Sequence, residues 1–81
     1  MEKSTLALCE TRQYKTYRIT EINTDENMHS RLRELGIIEG TEITRTVVGQ
    51  GEDISVYIAR GTRIALRRET AEQIRVTECE E

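Results

Sequence analysis

Ile54-Ser55-Val56-Tyr57-Ile58-Ala59-Arg60-Gly61-Thr62-Arg63-Ile64-Ala65-Leu66-Arg67 is the stretch on which the fold turns. Ile54, Val56 and Ile58 alternate with Ser55 and Tyr57, and Ile64 and Leu66 alternate with Arg63, Ala65 and Arg67. Successive side chains of a strand point to opposite faces, so each run reads as a half-buried strand. Arg60-Gly61 between them is a tight-turn signal, and two such runs joined by a tight turn make an antiparallel hairpin. The alternation predicts that the Ile, Val and Leu of both runs turn inward together.

The same period extends upstream, where Ile43 and Val47 share a face, with Glu39-Gly40 as a turn signal before them. Gly49-Gln50-Gly51-Glu52-Asp53 reads as the next hairpin turn. A phosphate-cradling loop would lead from a strand into a helix, whereas this one joins two strands and ends in acids. Further upstream the period lengthens. Asn23-Thr24-Asp25-Glu26 supplies cap-forming residues and acids suited to the positive end of a helix. Met28, Leu32 and Leu35 follow as one apolar stripe, and Gly36 stands where a left-handed C-terminal cap is wanted. Tyr14 to Ile22 reads as a strand in which Ile22 breaks the alternation by one place, as a bulge or the strand's end would. Downstream, Glu69 to Gln73 fits a single helical turn, and Ile74 with Val76 resumes the alternation as a closing strand. Together these elements predict a mainly β chain: a small antiparallel barrel of about five strands, with one α-helix and a short helical turn.

With 81 residues, of which 36% are apolar and none is Trp or Phe, there is material for one core of Ile, Val, Leu and a few Tyr. The domain therefore spans residues 1–81, with residues 1–3 and 78–81 expected to fray. A third of the residues are charged, but the signs are mixed and the net charge is −3, which argues against nucleic acid and anionic lipid as partners. No apolar run approaches the roughly 20 residues that span a bilayer, and residues 1–6 lack the apolar stretch of a signal peptide. A cytoplasmic protein is expected, without membrane insertion. Cys9 and Cys79 are then expected as free thiols. A thin core and short edges are compatible with a homodimer.

Arg31-Leu32-Arg33-Glu34-Leu35-Gly36-Ile37-Ile38-Glu39-Gly40-Thr41 resembles the R-L-x-E-L-G-hydrophobic-x-x-G-x motif of the FeoA family. Arg60 to Arg67 looks like that family's R-G-x-x-I-A-L-R motif, and Glu69, Ala71, Ile74 and Val76 match its E-x-A-x-x-I-x-V ending. The resemblance covers about residues 14–77, with the motifs in the family's order. The chain departs from the family in lacking the prolines of its middle loop and a glycine between Cys9 and Arg12. The resemblance implies an SH3-like barrel and an accessory role in bacterial ferrous iron uptake, with the FeoB permease as partner through its cytosolic portion. The same fold also forms the C-terminal domain of DtxR-like metal-dependent repressors, a role that would need a helix-turn-helix region ahead of it and is therefore not the one expected.

Under that resemblance Leu32, Leu35, Ile64 and Leu66 fill the core, Gly36, Gly40 and Gly61 permit turns, and Arg67 ties a turn or helix end through its forked donors. A partner is expected to meet the exposed helix face at Arg31, Arg33 and Glu34, with Arg63 beside it on the strand. The plainer account of Arg63 and Arg67 is a solvated strand face paired across to Glu42 or Asp53. The alternative function is a transition-metal-responsive sensor or carrier, for which Cys9, His29 and Cys79 are the soft candidates. Ligand spacing does not cluster them, so no metal or other cofactor is expected. Three tyrosines without a tryptophan do not build a polyproline groove. No Ser/His/Asp or Cys/His constellation suggests an enzyme.

Overall fold

The computed structural model describes residues 4–48 and 54–79. The expected turn at 49–53 and the chain ends at 1–3 and 80–81 lie outside the described residues.

The helix starts and stops where its caps dictate. The Met28 amide donates to the Asp25 carboxylate at 2.8 Å, opening α1, Glu26–Glu34. At the other end Gly36 adopts φ +85°. Its amide donates to the Arg33 carbonyl at 2.9 Å, and the Ile37 amide donates to the Leu32 carbonyl at 2.8 Å. This is the paired bonding of a Schellman cap, which reverses the chain and sets Ile37 over Leu32. Both are 1% exposed. Leu35, expected in the core, is instead 42% exposed. It occupies the cap position just before the reversal, and Ile37 takes the inward place that the apolar stripe assigned to it.

Among the described residues six strands form one antiparallel sheet: β1 Leu6–Ala7, β2 Thr16–Ile22, β3 Glu42–Val48, β4 Ile54–Ala59, β5 Thr62–Arg67 and β6 Ile74–Glu78. Their order is β1-β6-β2-β3-β4-β5. A 3-10 turn at Leu8–Glu10 follows β1, and a short helix α2, Arg68–Ala71, links β5 to β6. The mainly β antiparallel expectation holds, with β1 as the additional strand. The sheet is open, because β1 and β5 are not bonded to each other. The expected closing strand β6 lies inside the sheet, between β1 and β2. Glu78 pairs with Tyr17, and the Cys79 amide reaches the Thr16 carbonyl at 3.4 Å.

Two bulges decide which side chains face the core. In β2 the register against β6 shifts between Ile19 and Glu21. The extra residue lets Tyr17, Ile19 and Ile22 all point inward, so of the two readings of the broken alternation the bulge is the one present. Tyr14 precedes this strand, at φ +69° and 73% exposed. In β3 the register against β4 shifts between Arg45 and Val47. That shift sends Val47 outward, 51% exposed, while Ile43 stays in the core at 1%, so the two do not share a face.

The parity of β4 is the reverse of the expected one. Ser55, Tyr57 and Ala59 are buried, whereas Ile54 is 38% exposed and Val56 and Ile58 are only partly covered. The hairpin turn explains this. Ala59 pairs with Thr62 across Arg60-Gly61, so Tyr57 lies beside Ile64 and Ser55 beside Leu66. Directly paired residues share a face, and the inward Leu66 and half-buried Ile64 therefore bring Tyr57 and Ser55 with them. The core is completed by Leu8, Ala71, Ile74 and Val76, each at most 1% exposed.

Candidate functional site

The two stretches that resemble family motifs meet where Arg60 lies against Gly36. The β4–β5 turn places both Arg60 (φ +54°) and Gly61 (φ +77°) in the left-handed region, which suits the right-handed twist of a tight hairpin. This turn carries the Arg60 side chain against Gly36, where a Cβ would lie 2.7 Å from Arg60 Cδ and 2.9 Å from its Nε. A side chain at Gly36 is thus opposed twice, by its positive φ and by the arginine stem. The loop beyond is tied down as well. Thr41 Oγ1 donates to the Gly36 carbonyl at 3.0 Å and accepts from the Ile38 amide at 3.2 Å. The Gly40 amide, at φ +93°, donates to the Ile19 carbonyl at 2.7 Å.

On this held frame the exposed side chains form a mixed surface. Leu35 and Ile38 are 42% and 44% exposed, and Arg31, Arg33 and Glu34 are exposed beside them on α1. Among the described residues, none of these three charged side chains, nor Arg60, has an ion-pair partner. Exposed apolar and charged side chains thus share this stretch of chain, the mixture a protein contact surface combines.

Arg63 and Arg67 are exposed on β5. Their neighbours across the hairpin are Ile58 and Ile54, not acids. Glu42, the expected partner, is held by Arg18 at 3.3 Å, and Asp53 lies outside the described residues. Arg67 immediately precedes α2 and makes no side-chain cap bond there. The strand therefore carries two cations that nothing among the described residues neutralises.

The soft metal-ligand candidates are spread over three elements. Cys9 is in the 3-10 turn, His29 on α1 and Cys79 beyond β6. Among the described residues no three His, Cys, Asp or Glu side chains gather as a metal ion requires. Burial pushes the Cys9 thiol above its ordinary value, and the Glu72 carboxylate pushes it further, against the opposing pull of Arg68.

Arg45 is the polar residue that sequence reasoning missed. It donates to the Thr11 carbonyl at 2.8 Å and to Ser55 Oγ at 3.3 Å, and its guanidinium carbon stands 6.0 Å from the Tyr57 ring centroid. Its buried Nε has no partner among the described residues. Burial raises the Tyr57 phenol above its ordinary value, while Arg45 and Ser55 pull it down. The available signal was its position: Arg45 shares the parity of Ile43, an inward residue, before the bulge.

A family model described as the FeoA domain matches residues 6–78. The structure is similar to that of a FeoA protein from Chlorobium tepidum, with a TM-score of 0.88 at 21% identity over 93% of this chain and 71% of that one. It is also similar to a FeoA-like protein from Clostridium acetobutylicum, with a TM-score of 0.76 at 25% identity over 100% of this chain and 93% of that one. A manganese-dependent transcriptional repressor shares the fold, with a TM-score of 0.87 at 15% identity. There the similarity covers 98% of this chain but 44% of the repressor. No curated protein matches the sequence.

Proposed function

Because the chain belongs to the FeoA family, which implies a role in ferrous iron transport, we propose that it acts as a non-enzymatic protein-interaction module on the cytosolic portion of the FeoB permease. The observation that carries this reading is the surface at the C-terminal end of α1. Leu35 and Ile38 stand exposed there beside Arg31, Arg33 and Glu34, on a loop held by Gly36, Thr41 and the Arg60 stem. A surface already ordered before contact loses little conformational freedom on binding, so a modest apolar area suffices. The charges then choose the partner and speed the encounter more than they strengthen the complex. The reading places the chain in the cytoplasm. Among the described residues no helix is long and apolar enough to cross a membrane.

The test is a pull-down of the permease's cytosolic domain, with the unmodified chain and with the R31E/R33E double variant. The unmodified chain should retain the domain, and the charge reversal should weaken retention by about tenfold or more. Failure of the unmodified chain to retain the domain overturns the interaction reading. Equal retention by the variant moves the contact away from α1.

A further inference from the structure

The open sheet leaves one full-length edge. Among the described residues β5 is hydrogen-bonded only to β4, and no backbone bond satisfies its other side. The opposite edge strand, β1, has only two residues. An edge of six residues with unpaired N–H and C=O groups is a template for another strand. Its side chains sort by face. Arg63, Ala65 and Arg67 are exposed on the outer face, opposite Ile58, Val56 and Ile54. Thr62, Ile64 and Leu66 lie on the inner face, with Ile64 packed against the core and Leu66 part of it.

Charges on an edge strand ordinarily prevent pairing with copies of the same chain. Here they do so by geometry. A two-fold antiparallel pairing centred on Ala65 sets Arg63 opposite the other copy's Arg67, and the adjacent registers keep the two guanidiniums diagonal. Like charges in those positions are destabilising. The same repulsion becomes attraction when the added strand carries acids, so one pair of arginines rejects self-association and selects its complement. The cations are available for this, because their cross-strand neighbours are isoleucines and no described acid pairs with them.

We propose that β5 is a strand-addition site for an extended acidic segment of a partner protein. Register defines the segment. Carboxylates at i and i+4 meet Arg63 and Arg67, a small apolar residue at i+2 lies beside Ala65, and apolar residues at i+1 and i+3 line up with Ile64 and Leu66. Backbone bonds along β5 supply affinity, and the two arginines supply specificity. The site is defined by β5 itself and does not depend on the identity of the partner that α1 meets.

The probe is an acetylated, amidated peptide, Thr-Val-Glu-Val-Ala-Val-Glu-Val-Thr, added to the isotopically labelled chain while amide hydrogen exchange is followed. Exchange should slow by about tenfold or more at alternate β5 amides, and a peptide with Lys in place of Glu should leave them unchanged. The R63E/R67E double variant should reverse the preference and protect β5 with the Lys peptide, an outcome that a misfolded variant cannot produce. No protection of β5 at millimolar peptide, or equal protection by both peptides, overturns the proposal. Protection that grows with protein concentration alone identifies a second copy as the occupant and overturns it equally. These outcomes are independent of whether the permease domain is retained in a pull-down.

Discussion

β2 and β4 are both central strands with an alternating pattern, yet only one shows its inward face plainly. In β2, Tyr17, Ile19 and Ile22 are all buried, and the interruption at Thr20 is a bulge against β6. In β4 the bulkier aliphatic set, Ile54, Val56 and Ile58, lies outside, and Ser55, Tyr57 and Ala59 lie inside. The difference lies in what each strand must fit. Tyr17 and Ile19 face β3 and β6, whose inward residues are Ile43 and Val76. β4 must place one large ring, Tyr57, between Arg45 and Ile64, and small residues on either side make room for it. Hydrophobicity marks a strand, but turn length and side-chain volume choose its buried face.

The sharpest way to break this comparison is to exchange its two sides. Tyr57→Ala should cost about 3–5 kcal/mol in chemical denaturation, as a buried aromatic does, whereas Ile54→Ala should cost under about 1 kcal/mol, close to a surface change. Equal losses would mean that β4 buries its aliphatic face after all. The helix allows the same contrast at somewhat smaller scale. Leu32→Ala should lose about 2–5 kcal/mol, and Leu35→Ala under about 1 kcal/mol, with the latter showing instead in the permease pull-down. A Leu35 loss as large as that of Leu32 would return Leu35 to the core.

Gly36→Ala is expected to cost about 1–2 kcal/mol for the left-handed backbone, plus whatever the Arg60 stem resists. Adding Arg60→Ala should recover that second part, and a double-mutant cycle measures it. Strictly additive losses would show that the two motif residues do not press on each other. The smallest effect concerns pH. Cys9 and Tyr57 both have folded-state values raised above the ordinary 9.0 and 10.0. The unfolded chain therefore releases these protons first. Their contribution to stability is complete below about pH 9 and declines as pH rises through the folded values. Cys9→Ser should flatten the first part of that decline in a pH series of thermal melts, and an unchanged slope would dissociate it from Cys9.

Much of this arrangement was legible before any coordinates. The helix start within Asn23-Thr24-Asp25-Glu26, Gly36 as C-terminal stop and Arg60-Gly61 as hairpin turn each follow from local chemistry, and each is present. The broken alternation at Ile22 fits a bulge or a strand end equally, and pairing with β6 makes it a bulge. The parity of β4 was legible in principle too. A two-residue turn pairs odd-numbered with even-numbered positions, so Ile54, Val56 and Ile58 could not share a face with Ile64 and Leu66. Alternation within a single strand leaves its buried face open, and only the turn couples one strand's face to the next. Leu35 required knowing that Ile37 would fold back over Leu32, a consequence of the cap and not of the stripe. β1 has two residues, too few to show any period, and is recognisable only through its pairing with β6. For the candidate surfaces, the sequence displayed the charges on α1 and β5. It did not reveal that Glu42 is engaged by Arg18, leaving Arg63 and Arg67 beside isoleucines.

The pairing of β1 with β6 has an architectural consequence. Leu6 lies opposite Val76, Thr77 Oγ1 donates to the Ser4 carbonyl at 3.1 Å, and Arg75 Nη2 donates to the Thr5 carbonyl at 3.0 Å. A polypeptide that enters this fold at Ser4 leaves it a few ångströms away, on the neighbouring strand. Such a module can be spliced into a host protein through one small gap, displacing little of the host, or be circularly permuted by bridging that gap.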